Sequence, residues 1–449
     1  MSLSVAEGYG PRRVLAIAVP VVLSNVTVPL QGAVDTAVIG NLGSEVYLAA
    51  VGLAATLFSL LYGCFNFLQI GTSGLSAQAL GAGDAPRVVD VLARAFLIAL
   101  GLAALMLLGR DLIRAGGLGL FEGSAEAQRL AAVYVDIRIW GAPAELANYA
   151  LVGWFAGQEM TRRLFQHQVV LASANIALNL FLVLVVGMDV DGVALGTVIA
   201  SYAGLGYGLW LALGRRRAIA PDWRPDARRI LQRAPMLALM ALNRDIFIRT
   251  FLLVGAFAWM TRLGSTLGDA TLAANVVLWQ FVEIAAYALD GFAIAAETLV
   301  GQAMGARSAG RLRRAAIETS LWSGLLAVAI SAGFAVMAGP MIDLFTTAPE
   351  VRALAREYAL WAALAPAVGF AAYQLDGVFV GATGSGEMRD AMIVSAAIYY
   401  PTAWVTTQIF GNHGVWAGLH VFLFVRAVAL LALYPRLEAR ADQPASAAA

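Results

Sequence analysis

A chain of 449 residues that is 60% hydrophobic and only 13% charged is not a soluble globular protein, because such proteins carry about 25% charged residues. The net charge of +1 says nothing about nucleic acid, and no basic patch outside the membrane loops points to a nucleic-acid partner, so none is expected. All 30 basic residues are arginine, which excludes the lysine-dependent phosphate loop of an ATP-driven pump, and the lone Cys64 leaves no internal disulfide or cysteine metal site.

Apolar runs of about 20 residues, each able to cross roughly 30 Å of hydrocarbon, recur along the chain, as at 14–39, 170–187, 321–338 and 415–433. Twelve spans are predicted. The first follows a short polar start with Arg12 and Arg13 and reads as a retained span, not a signal peptide. It holds Pro20 and Pro29, each of which removes a backbone hydrogen bond and permits a kink. It also holds Asp35, with no basic residue within a helical turn or two in sequence. A charge in hydrocarbon costs about 2.5–3.5 kcal/mol on insertion scales. Asp35 is therefore either an outer-end acid reaching water or a protonatable carboxylate in a cavity.

Gln158 ends span four, Asn175 and Asn179 share one face of span five, and Thr197 lies in span six. These form either a neutral network around Asp35 or interhelical hydrogen bonds worth about 0.6 kcal/mol each. Span seven carries Asn243, Arg244, Asp245 and Arg249, with Asp245 and Arg249 spaced as an i,i+4 pair. Span eight carries Glu283, Asp290 and Glu297 at seven-residue intervals on one face, the last near the cytoplasmic end. Asp376 falls in span ten and Arg426 in span twelve. Mutual neutralisation is the simplest role for these groups, with some acids also lining a substrate path. The Gly381–Gly386 loop reads as a turn, and His167, His413 and His420 are too scattered for a metal site. No nucleophile–base or metal constellation marks an enzyme, and no cofactor is expected.

The chain also repeats itself. Gln78-Ala79-Leu80-Gly81-Ala82 returns as Gln302-Ala303-Met304-Gly305-Ala306, and 302 − 78 = 224. The same offset carries Tyr149, Leu151, Gly153, Phe155 and Gly157 onto Tyr373, Leu375, Gly377, Phe379 and Gly381. Six spans per copy is an even number, so the repeats are parallel, a common transporter architecture. The expected organisation is a six-helix lobe at 1–213 and an arginine-rich cytoplasmic linker at 214–233. A second six-helix lobe at 234–436 and a disordered tail at 437–449 complete it. Arginines crowd alternate loops, at 162–163, 215–233 and 307–314, which puts both termini in the cytoplasm. Arg110, Arg114, Arg352 and Arg356 run against that pattern.

The residues resemble the multidrug and toxic compound extrusion family, in its DinF-like branch, over nearly the whole chain. The resemblance is carried by Val34-Asp35-Thr36-Ala37-Val38-Ile39-Gly40 and by Asn243-Arg244-Asp245. Ala286-Tyr287-Ala288-Leu289-Asp290-Gly291-Phe292-Ala293 running into Glu297, and Gln374-Leu375-Asp376-Gly377-Val378-Phe379, also carry it. It implies two lobes forming a V around a cleft, and exchange of protons or sodium for amphipathic, mostly cationic drugs. It places the amino-lobe acid at Asp35, a bending proline at Pro20, and polar partners at Gln158, Asn175, Asn179 and Thr197. Some relatives carry acids where this chain has Gln158 and Asn179, which makes sodium the less expected coupling ion and the proton the expected one. The implied protein is a monomeric antiporter of the cytoplasmic (inner) membrane, with the lipid bilayer and small cationic or amphipathic substrates as its partners. The alternative is a lipid-linked saccharide flippase, which would turn Arg244, Arg249 and Arg426 toward the cleft.

Overall fold

The computed structural model describes residues 10–25, 27–40, 45–121 and 123–442, and the regular elements among them are helical. Span one is α1 (Pro11–Asn25) and α2 (Thr27–Gly40). Pro29 falls in the first turn of α2, where a missing N–H is tolerated. Pro20 lies inside α1, which stays helical to Asn25, and residue 26 lies outside the described residues. Span two is α3 (Glu45–Cys64) and α4 (Phe67–Gly81), and span three is α5 (Ala85–Leu108). After the short α6 (Arg110–Leu118), span four joins α7 (Ala125–Arg138) to α8 (Ala142–Gly157) through a 3₁₀ turn at Ile139–Gly141. Span five is α9 (Thr161–Leu180), closed by a π turn at Phe181–Val185, and span six is α10 (Val190–Ile219).

After α11 (Ala227–Ile230), the second half is built of longer, unbroken helices: α12 (Arg233–Ser265), α13 (Asp269–Gly305), α14 (Ala309–Phe345), α15 (Pro349–Gly381), α16 (Ser385–Phe410) and α17 (Asn412–Ala441). Nine segments among the described residues are long and apolar enough to cross a bilayer by themselves. Spans one, four and eleven complete the twelve. α17 continues five residues into the expected tail, with Leu437 and Ala441 buried, and residues 443–449 lie outside the described residues.

The duplication is written into the backbone. Left-handed φ angles occur at Gly83 and Arg307, at Glu159 and Thr383, and at Gly187 and Gly411, and each pair is separated by 224 residues. A left-handed turn is costly for any residue with a Cβ, so its recurrence at Arg307 and Thr383 reflects a shared loop design. The helix crossing recurs too. A Cβ on Gly153 would stand 2.1 Å from the Gln69 carbonyl oxygen, and one on Gly157 would stand 2.3 Å from that of Ser73. On the other copy, Gly377 meets the Ala293 oxygen at 2.1 Å and Gly381 the Glu297 oxygen at 2.3 Å. All four positions on each side are 224 apart. Small residues let two membrane helices approach to backbone contact, where dispersion and Cα–H···O contacts replace the missing hydrophobic drive.

Two compact units result. Unit 1 runs from Leu23 to Leu239, and unit 2 from Met240 onward together with the start of α1 up to Val22. The seat of that start is specific: Gly291 of α13 lies against Val22 and Ala18, and Arg13 Nη2 donates to Gln302 Oε1 at 2.8 Å. The linker is folded onto unit 1. Buried Asp90 of α5 accepts from Trp223 Nε1 at 2.8 Å and from Arg229 Nη2 at 3.0 Å. Arg94 donates to the carbonyls of Ile230 and Arg229, both at 3.0 Å, which caps the last turn of α11. Trp223 packs on Ala85 and Val89 and carries the Arg229 guanidinium over its ring at 5.7 Å.

Candidate coupling site and the charged core of unit 2

Asp35 projects from α2 toward α9 and is half-buried. Asn179 Nδ2 donates to Asp35 Oδ1 at 2.6 Å. Asn179 is fully buried, and it fits because α10 presents Gly196 there: a Cβ on that glycine would lie 2.1 Å from Asn179 Oδ1. One turn earlier, Asn175 Nδ2 donates to Thr197 Oγ1 at 3.0 Å, and Thr197 Oγ1 donates to the Val193 carbonyl at 2.8 Å. The structure thus gathers Asp35, Asn175, Asn179 and Thr197. Asn175 Oδ1 and Asn179 Oδ1 are buried acceptors that take no hydrogen bond from the described residues. Leaving a buried acceptor unmade costs about 1–3 kcal/mol, so the site has two places for a further donor. A protonated carboxyl is such a donor, while an ionised one only accepts.

Gln158 does not join this group. It takes Arg215 Nε at 3.1 Å on Oε1 and donates to the Trp154 carbonyl at 3.2 Å. It sits at the far end of α8, thirteen residues of helix beyond Glu145, which at 1.5 Å per residue is about 20 Å. Its place among the partners of Asp35 is therefore corrected.

Sequence reasoning missed three groups. Arg138 ends α7 and is buried, with its guanidinium over the rings of Phe58 at 5.5 Å and Tyr62 at 5.3 Å. Glu145, in the first turn of α8, faces it at 3.6 Å and accepts from Ser201 Oγ at 3.0 Å. Tyr134 is buried beside Arg138, Asp35 and Thr197. The available signal was an arginine and a glutamate seven residues apart in an otherwise apolar stretch, two helical turns on one face.

Unit 2 has a different polar core. Asp376 of α15 pairs with both Arg249 of α12 and Arg426 of α17. Arg426 is 1% exposed, so a carboxylate beside it is obligatory. Asp290 of α13 also faces Arg249, and Tyr373 faces both arginines. The expected pairing of Asp245 with Arg249 is not formed. Asp245 instead accepts from Arg244 at 3.0 Å and from Arg389 of α16 at 2.9 Å. Asn243 is buried next to this pair, and its Oδ1 takes no hydrogen bond from the described residues. The stripe on α13 divides by environment: Glu283 and Asp290 are exposed, whereas Glu297 is buried at the glycine crossing.

Twelve spans in two parallel repeats, each with charged groups held at membrane depth, define a polytopic membrane transporter. The chain belongs to the MatE family, the multidrug and toxic compound extrusion transporters, whose model matches residues 20–181 and 246–406. The two matched segments begin 246 − 20 = 226 residues apart, close to the internal offset. The chain is 40% identical to DNA damage-inducible protein F of Escherichia coli over 94% of this chain and 91% of that one. It is 28% identical to a probable multidrug resistance protein NorM of Bradyrhizobium diazoefficiens, over 95% of this chain and 93% of the relative. Its fold matches the outward-facing conformation of a multidrug resistance MATE family transporter of the MOP superfamily, with a TM-score of 0.85 at 18% identity and 96% of each chain covered. Members of this family move small molecules across membranes and are not enzymes.

Proposed function

We propose that this chain is a proton-coupled antiporter of the cytoplasmic (inner) membrane that exports organic cations and similar amphipathic compounds by alternating access. It works as a monomer with both termini in the cytoplasm. The observation that carries the reading is Asp35, a membrane-depth carboxylate bound to a neutral amide, in a group with two buried acceptors that take no donor from the described residues. Ionised, it accepts from Asn179. Protonated from outside, it gains a hydroxyl that can donate, and the local hydrogen-bond pattern inverts. That inversion on a proline-bearing first span would release substrate from the amino-terminal lobe, with Pro20 as the bending point.

Sodium is a poorer fit. A hard cation is best held by several anionic oxygens, and Asp35 brings the one carboxylate to the group it forms with Asn175, Asn179 and Thr197. Arg138 also faces the carboxylate and opposes a second cation. The cationic and amphipathic substrate class is supported by the multidrug resistance relatives. A flippase for pyrophosphate-linked saccharides would need free arginines. Arg249 and Arg426 are held by Asp376, and Arg244 is held by Asp245.

Dye efflux from proteoliposomes under an imposed pH gradient, with and without sodium, tests the proposal. Efflux should follow the pH gradient and should be absent under a sodium gradient at matched pH and zero potential. Asp35→Asn should abolish proton-driven efflux while the purified protein still binds substrate. Sodium-driven transport at comparable rate, or normal efflux by Asp35→Asn, overturns it.

A further inference from the structure

Arg138 and Glu145 form a second charged group in unit 1, and Tyr134 lies beside both Arg138 and Asp35. The guanidinium is held by aromatic rings and by a gap in the chain's own packing: a Cβ on Gly141 would stand 2.7 Å from Arg138 Nη1. Nη1 is buried and takes no hydrogen-bond acceptor among the described residues. Nη2 lies 3.6 Å from Glu145 Oε2, an ion pair too long for a hydrogen bond. Glu145 is anchored separately, through Ser201 Oγ, which also reaches the Thr197 carbonyl at 2.9 Å. Thr197 in turn accepts from Asn175, one turn from the Asn179 that holds Asp35. Polar contacts therefore run from Asn175 through Thr197 and Ser201 to Glu145, one helical turn from the Asn179 that holds Asp35, and the Arg138 charge acts on both acids.

The groups around this guanidinium are Tyr62 from α3, Tyr134 from its own helix, Glu145 and Tyr149 from α8, and Asp35 from α2. α10 adds only the uncharged Ser201 and Thr197. Two carboxylates thus face one guanidinium in a water-poor interior, where an uncompensated charge is strongly disfavoured. Adding one proton to the pair restores neutrality.

We infer that Arg138 is a counter-ion shared between Asp35 and Glu145, and that it hands its charge from one to the other as Asp35 gains or loses its proton. The inference rests on the reading of Asp35 as the coupling acid. When Asp35 takes a proton from the outer water, its carboxyl becomes neutral and Arg138 closes onto Glu145, shortening the 3.6 Å gap to hydrogen-bond distance. When Asp35 returns the proton to the inner water, its carboxylate draws the guanidinium back. Arg138 and Glu145 are positioning residues, and neither carries the transported proton.

The test is the pH profile of dye efflux by purified variants in proteoliposomes. Glu145→Gln leaves Arg138 to Asp35 alone, so protonation requires a higher proton activity. The half-maximal pH should move in the acid direction by about one unit, a tenfold change in proton activity. Arg138→Gln leaves two facing carboxylates with no cation and should move the profile the opposite way, while Arg138→Lys should restore it in part. Where Arg138→Gln yields no folded protein, Glu145→Gln decides alone, because its amide has the same shape and still accepts from Ser201. A Glu145→Gln profile that superimposes on the native one, or that moves in the alkaline direction, overturns the inference. Asp35→Asn run alongside separates the two proposals: normal efflux there removes the coupling reading, whereas a dead Asp35→Asn with an unshifted Glu145→Gln removes only this one.

Discussion

The amide oxygen of Asn179 fills the space that a side chain on Gly196 would need, 2.1 Å from the would-be Cβ. A glycine on α10 therefore sets the position of an amide on α9, and that amide holds Asp35 on α2. Gly196→Ala must drive Asn179 off its rotamer, an overpacking cost of about 1–3 kcal/mol. The variant should melt at a lower temperature in detergent and lose proton-driven efflux at least as far as Asn179→Ala does. Native melting together with native efflux would show that the amide is not held there.

The glycine crossings make a paired prediction. In each unit the added Cβ would meet a backbone oxygen, at 2.1 Å from Gln69 or Ala293, and backbone cannot rotate aside as a side chain can. Gly153→Ala and Gly377→Ala should each reduce the yield of monodisperse protein and lower its melting temperature by an amount equivalent to more than about 3 kcal/mol. Gly101 of α5 has nothing within 4 Å of a would-be Cβ, so Gly101→Ala is the control and should change stability by about 1 kcal/mol or less, in the stabilising direction.

In unit 2 the prediction concerns Asp376. Asp376→Asn strands Arg249 and Arg426 together, and breaking a buried pair costs about 3–5 kcal/mol. Replacing Arg426 by methionine in the same protein should recover part of that loss. Asp290 faces Arg249 as well but is exposed, so Asp290→Asn should cost about 1 kcal/mol or less. Thermal unfolding of the four proteins checks the order, and an Asp290→Asn loss larger than that of Asp376→Asn would reverse it.

The linker prediction can be read by proteolysis. Trp223→Ala removes the indole bond to Asp90, the apolar contact with Val89 and the ring under Arg229. A loss of about 1.4 kcal/mol in holding the strap closed raises its open population roughly tenfold. Limited trypsin digestion at Arg228 and Arg229 should accelerate by that factor, and an unchanged cleavage rate would show that the strap is held by other contacts.

Much of the architecture was legible in the sequence for a physical reason. A helix crossing that needs glycine, and a turn that needs a left-handed residue, leave marks at fixed positions, and Gly153, Gly157, Gly377 and Gly381 recur at one offset. Asp35 was legible because no cation lies near it in sequence. Charge partners were harder to read. Arg249 had an acid four residues away on its own helix, yet it bonds Asp376, 127 residues distant. Local spacing brings Asp245 near, but the packing of α15 decides which carboxylate is in the dry interior. Gln158 and Glu145 illustrate the same limit: both are on α8, and only the helix's orientation tells which end meets α9 and α10. Arg138 escaped notice because Asp136, two residues before it, pairs outward with Arg114 at 2.7 Å and gives the segment the look of a solvated loop.

The seat of α1 also bears on how the protein is made. Arg13 emerges from the ribosome well before its partner Gln302, which is 289 residues further along. At about 5–20 residues per second, that partner follows roughly 15–60 s later. α1 thus waits in the bilayer, without its final neighbour, until α13 has been delivered. A nascent chain truncated in the linker would leave the beginning of α1 unseated, so halves produced from a gene split at the linker would each be incomplete. A split after Leu239 that moves the codons for α1 up to Val22 to the second half would respect the units the folded protein shows.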